Sequence, residues 1–117
     1  MRSHVSLVFG VLLSLHNFAF ADDATKELSG KQLAYTGNKG NCLACHAMPT
    51  MADAEAAGTI GPPLIAMRMR YPDKAKLRAV IWNAMVVNPD TVMPPFGKNQ
   101  ILTEQEIDKI TDFVDSL

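Results

Sequence analysis

The stretch GNCLACHAM, residues 40–48, holds both cysteines of the chain, Cys42 and Cys45, with His46 directly after the second. Two thiols separated by two residues and followed at once by an imidazole fit three chemistries: a metal site, a thiol–disulfide motif, or covalent attachment of a haem. The sequence on either side decides among them.

Toward the N-terminus, a basic tip (Met1 to His4) precedes an apolar run from Val5 to Leu15 and the small-residue pattern Ala19-Phe20-Ala21. This is the anatomy of a secretory signal peptide over residues 1–21. The run is short for a membrane span and is interrupted by His16 and Asn17. Cleavage leaves 96 of the 117 residues, residues 22–117, as one small domain with no membrane span. It keeps 10 of the 11 basic residues against 12 acidic ones, a formal charge of −2. No basic block or stripe suited to a phosphate backbone is present, so nucleic acid is set aside as a partner. The expected location is the periplasm.

Export sharpens the reading of the thiols. Structural zinc takes four protein ligands, whereas the mature chain has two cysteines and one histidine, since His4 and His16 leave with the leader. A thioredoxin-like site needs a βαβ context, and no strand-like alternation follows. Haem attachment uses every residue: each thiol adds to a vinyl group, and the adjacent His46 is placed to ligate iron. The expected cofactor is one covalent haem c on Cys42 and Cys45.

The sixth iron position has several candidates: Met48, Met51, Met67, Met69, Met85 and Met93. Met48 and Met51 are too close to His46 in sequence to cross readily to the opposite haem face. Met85 falls in a helical apolar pattern, so core is its expected place. Met93 sits in NPDTVMPPFGKN, where Pro89, Pro94, Pro95 and Gly97 forbid a helix and favour a stiff loop. Met93 is the preferred ligand, with Met67 and Met69 as alternatives. A ligating imidazole normally gives its other N–H to an acceptor. In GTIGPPLIAM the carbonyl of Pro62 is free of a helix ladder and can serve; on residue types alone this and an ordinary loop stand level.

Three segments read as helices. ATKELSGKQLAYTG presents Leu28, Leu33 and Tyr35 with the small Gly30 and Ala34, and a glycine inside a helix implies a packing reason. PDKAKLRAVIWNAM, with Pro72 near its start, sets Leu77, Ile81, Ala84 and Met85 on one face. In the last segment Thr103 and Glu106 form a capping box, Leu102 and Ile107 a hydrophobic staple, and Ile107, Ile110, Val114 and Leu117 line one side. The expected fold is all-α, a small helical domain whose terminal helices touch. Trp82 reads first as core filling, with a haem propionate contact as the second reading. Arg68 and Arg70 read first as arginines on a solvated surface, with propionates as the second reading, and Lys39 and Lys98 could ring an exposed haem edge, although nothing in the sequence places them there.

The order CxxCH, Gly-Pro loop, middle helix, loop methionine and capped last helix resembles class I c-type cytochromes. More narrowly, AGTIGPPLIAM, PDKAKLRAVIWNA and NPDTVMPPFGKNQILTEQEID resemble the SoxX family, the monohaem subunits of the SoxAX complex, over about Gly30 to Leu117. The CxxCH and Met-Pro-Pro motifs are widespread; the blocks around Ile60 and Val92 carry the narrower likeness. The resemblance implies His46 and Met93 as axial ligands and favours the Pro62 carbonyl as the partner of His46. It implies a SoxA-type dihaem or monohaem partner, the carrier SoxYZ, and a downstream cytochrome acceptor. In that system thiosulfate is joined oxidatively to a SoxYZ cysteine at a cysteine-ligated haem of SoxA. A SoxX-like chain would then be the electron-transfer subunit of an L-cysteine S-thiosulfotransferase complex, with no bond-forming catalytic residue of its own. A free electron shuttle between respiratory complexes and a haem sensor with an open iron are the competing functions.

Overall fold

The computed structural model describes residues 27–117. The expected leader, residues 1–21, and the first residues of the mature domain lie outside that range. Among the described residues there are four α-helices and no strand: α1 (Gly30–Tyr35), α2 (Met67–Arg70), α3 (Lys74–Trp82) and α4 (Glu104–Asp115). Short 3-10 turns stand at Cys42–Ala44 and Ala84–Val86. No helix among these residues is long and apolar enough to cross a membrane.

Helix α4 organises the domain. Its start is fixed by the Thr103–Glu106 capping box, with both reciprocal hydrogen bonds made, at 3.2 and 2.9 Å. Leu102 and Ile107, the staple pair, are both buried. From there Ile107, Ile110 and Val114 run along one face into a core shared with Leu33 of α1 and with Leu77 and Ile81 of α3. Burying each such side chain is worth about 1.5–3 kcal/mol, so this seam supplies most of the domain's cohesion.

Around the seam lies a belt of ion pairs between α4 and its neighbours. Arg78 reaches Asp108 (2.6 Å) and Glu104, Lys74 reaches Asp112 (2.7 Å), and Arg68 reaches Asp115 (3.0 Å). Exposed pairs of this kind contribute about 0.2–1 kcal/mol each, so they orient α3 on α4 more than they hold it.

Helix α1 crosses α4 at Gly30. A Cβ there would fall on the Lys109 carbonyl and lie 3.0 Å from Phe113 Cβ, which is the packing reason for the glycine. Tyr35 and Phe113 extend the contact with an edge-to-face pair, centroids 6.3 Å apart. The helix is shorter than its sequence suggests. Ser29 caps it, with Gln32 completing a second capping box, so Gly30 is its first residue rather than an interior one and Leu28 packs from outside.

The middle helix also differs from its sequence pattern. Asp73 is its N-cap, accepting from Ala75 N–H at 2.9 Å, so Pro72 precedes the helix. It ends at Trp82, because Asn83 turns extended (φ −159°) and its side chain caps the next turn by accepting from Met85 N–H. Ala84 stays buried, but Met85 is 42% exposed. The core place expected for Met85 is therefore wrong: the helical period that would have turned it inward stops three residues earlier.

Candidate functional site

The CxxCH segment is a tight turn. Asn41 adopts a left-handed conformation (φ 47°), after which the Cys42 carbonyl accepts from both Cys45 N–H (3.1 Å) and His46 N–H (2.8 Å). Both cysteines are half-buried free thiols. Burial pushes the Cys42 thiol up to about 11, so it is held neutral.

A second strip, residues 58–64, lies alongside this turn. Gly58 N–H donates to Leu43, Gly61 N–H to Cys45 and Leu64 N–H to Ala47, each at 2.8 Å. The close approach depends on the two glycines: a Cβ at Gly58 would fall on the Ala44 carbonyl, and one at Gly61 on the His46 ring. Within this strip Pro62 O lies 2.7 Å from His46 Nδ1. A carbonyl can only accept, so Nδ1 carries the proton and Nε2 presents its lone pair. Arg70 Nη1 donates to the next carbonyl, Pro63 O, at 2.7 Å, and so braces the Gly-Pro-Pro strip from α2.

His46 and Pro62 open onto a cleft that reaches the core residues Leu64, Met67, Leu77, Ile81, Phe96 and Ile110. Its outer continuation is lined by Cys42, Cys45, His46, Pro62 and Met93, with Ile60, Val92 and Ile101 at the rim. Met93 lines both parts. A domain this small normally packs its centre closely, so an apolar cleft among its main core residues is shaped for a large apolar group. The donor set agrees: two thiols, one imidazole nitrogen and the thioethers of Met93 and Met67 border the same space and suit a covalently held haem. Cys42, Cys45, His46 and Met93 are the residues that would hold it.

The remaining candidates separate. Met67 is buried and lines the cleft, with Arg70 Nη1 3.4 Å from its sulfur. Met69 is 83% exposed on the surface. Met48 is buried, and Met51 half-buried, on the core cluster. Arg68 pairs with Asp115, away from the cleft, whereas Arg70 lines it. Lys39 lines the outer cleft and pairs with Glu106 at 2.6 Å; Lys98 lies outside it. Trp82 lines neither part. It borders a separate surface groove, under the Arg78 guanidinium, with its ring in the space where Gly97 would carry a Cβ.

Sequence reasoning read Gly97 only as a helix breaker and Gly61 only as part of the Gly-Pro loop; it missed their contacts with Trp82 and His46, fifteen residues away. It also passed over Thr91, whose Oγ1 accepts from Met93 N–H at 3.1 Å. A threonine two residues before the methionine was a readable signal for such a turn.

Residues 28–114 match the family described as cytochrome c oxidase, cbb3-type, subunit III, and the chain belongs to that family of cytochrome c domains. Within the class I cytochromes c it is SoxX-like. It is similar to a chain in the crystal structure of SoxXA from P. pantotrophus, at 30% identity, 74% coverage of this chain, 77% of that one, and a TM-score of 0.67. No curated protein matches the sequence.

Proposed function

We propose that this chain is an exported monohaem cytochrome c that serves as the SoxX subunit of a thiosulfate-oxidising SoxAX complex in the periplasm. The observation that carries the reading is the cleft bordered by both CxxCH thiols, by His46 with its Nδ1 on the Pro62 carbonyl, and by Met93. A bound haem would supply one-electron transfer at a His/Met-ligated iron. This chain's residues attach it through Cys42 and Cys45, orient the imidazole through Pro62, and bring a thioether from the loop. Methionine favours Fe(II) and raises the potential, which suits an electron acceptor. With His46 and Met93 both given to holding the haem, this chain would offer substrate no open site on it.

The likeness to SoxXA supports a SoxA-type partner. Joining thiosulfate to a carrier cysteine thiolate, S⁻ + S₂O₃²⁻ → S–S–SO₃⁻ + 2e⁻, forms one S–S bond and releases two electrons. Those electrons would pass one at a time through this subunit to another cytochrome. The bond-forming step would lie on the partner, because both cysteines here are consumed by attachment.

Expression with the haem-attachment machinery tests this directly. Intact mass should show one haem on residues 22–117, and a co-expressed SoxA-type subunit should co-purify. In the reconstituted system thiosulfate plus SoxYZ should reduce the iron. A haem-loaded protein that neither holds such a partner nor is reduced would favour the free shuttle.

A further inference from the structure

The loop that carries Met93 leaves α3 at Trp82 and comes back to Trp82. Gly97 N–H and Lys98 N–H both donate to the Trp82 carbonyl, at 3.1 and 3.3 Å. The indole ring fills the place of the missing Gly97 side chain: a Cβ there would fall on Cδ2 and Cε3 and lie 2.6 Å from Cζ3. Gly97 and its neighbour Phe96 are buried, and Phe96 lines both parts of the cleft beside Met93. On the outgoing side, Asn88 and Thr91 supply the anchors: Asp90 N–H to Asn88 Oδ1 (3.2 Å), Thr91 N–H to Asn88 O (3.1 Å), and Met93 N–H to Thr91 Oγ1 (3.1 Å). On the returning side Pro94 and Pro95 have no N–H to give. The returning limb is therefore tied down at Gly97, against Trp82, and two prolines carry that restraint stiffly to Met93.

We propose that Trp82 is a positioning residue for Met93: its carbonyl and ring clasp Gly97 and thereby hold the methionine loop closed over the cleft. This rests on the reading of Met93 as the second axial ligand. It gives Trp82 a function that does not require contact with the haem. Gly97 is the other half of the device, because any side chain there displaces the ring. Loosening the clasp should let the loop open more often and expose the iron, with the helical frame intact.

The rate at which cyanide binds the ferric haem-loaded protein reads that opening, since an exogenous ligand enters only when the methionine is off. Gly97→Ala should bind cyanide about tenfold faster than wild type, the factor that about 1.4 kcal/mol of lost restraint produces. Trp82→Leu should do likewise through loss of the ring contact. In the double variant, Gly97→Ala with Trp82→Leu, the methyl has room, so its rate should fall below the product of the two single effects. Helical circular dichroism should be retained in each. Single variants that melt at lower temperature but bind cyanide at the wild-type rate would overturn the proposal and leave Trp82 a packing residue. If Gly97→Ala does not fold, Trp82→Leu alone decides, by the same rate. Met93→Ala separates the two readings: fast cyanide binding there with wild-type rates in the clasp variants sinks only the role of Trp82. A slow rate in Met93→Ala sinks the ligand reading beneath it.

Discussion

The His46 imidazole occupies the space that a side chain at Gly61 would need. A Cβ on Gly61 would lie 2.6 Å from Nδ1 and 2.8 Å from Nε2, closer than real Cβ contacts come. Pro62, the next residue, meanwhile accepts from Nδ1 at 2.7 Å. One strip of backbone thus sets both the plane of the ring and its protonation.

Gly61→Ala should therefore turn the imidazole off the Pro62 carbonyl. Losing that acceptor makes the ring a weaker base and stabilises Fe(III) less, so the reduction potential should rise. A hydrogen bond worth about 1 kcal/mol corresponds to about 40 mV for one electron. Potentiometric titration of the haem-loaded protein reads the shift. Gly37→Ala, where an added Cβ meets nothing within 4 Å, is the control and should not move the potential. An unchanged potential in Gly61→Ala would show that the strip does not tune the iron.

Glu106 links the start of α4 to the residues before the CxxCH turn. The hydrogen bond from Lys39, above all, holds its carboxyl below the ordinary glutamate value. A depressed carboxylate contributes stability above its unfolded value, about 4.3, and loses it as pH falls through the folded value. Glu106→Gln keeps an acceptor for Thr103 N–H but drops the charge. At pH 7 it should cost about 0.5–1 kcal/mol, a few degrees of melting temperature. The gap between variant and wild type should close as pH falls below the unfolded value and then through the lower folded one. A gap that persists once the wild-type carboxyl is protonated would place the effect in the cap rather than in the ion pair.

What the sequence could disclose depended on range. The Thr103 capping box and the Leu102–Ile107 staple are encoded within the six residues 102–107, and both were legible. The same logic applied to Ser29 and Gln32 would have started α1 correctly, but the apolar pattern reached back to Leu28 and hid it. Met85 was misplaced because Asn83 ends α3 with its own side chain, a local choice that a helical period does not register. The contacts of Gly61 with His46 and of Gly97 with Trp82 join residues about fifteen apart, with no periodicity to announce them. A missing side chain shows its purpose only when its neighbour in space is known. The cofactor was legible where the cleft was not: thiols, imidazole and thioether name a haem more directly than any run of apolar residues outlines a cavity.

The core residues Leu64, Met67, Leu77, Ile81 and Phe96 face the cleft, and without a group to cover they lose much of their partner surface. Haem attachment should then be coupled to folding. A variant with both Cys42→Ser and Cys45→Ser should lack a cooperative melt and be cleared by proteolysis, whereas the haem-loaded wild type resists it. Thermal circular dichroism and limited proteolysis are the measurements. A compact, cooperatively melting apo variant would show that α1, α3 and α4 sustain the fold alone.

Met93 offers the sharpest test of the site. If its sulfur is the second ligand, Met93→Ala should keep the haem bound through Cys42 and Cys45 but lose the weak Met-to-Fe(III) charge-transfer band. The potential should fall by on the order of 0.1 V, within the range of about 0.8 V that axial ligands span. Met93→His should stay six-coordinate and also fall, because imidazole favours Fe(III) over a thioether. The two methionines of α2 serve as controls of different kinds. Met69 is on the surface, so Met69→Ala should change neither spectrum nor melting. Met67 is buried against the cleft, so Met67→Leu should cost less than about 1.5 kcal/mol of stability and leave the band in place. A band that survives in Met93→Ala and vanishes in Met67→Leu would move the ligand to α2, and the loop methionine would become packing.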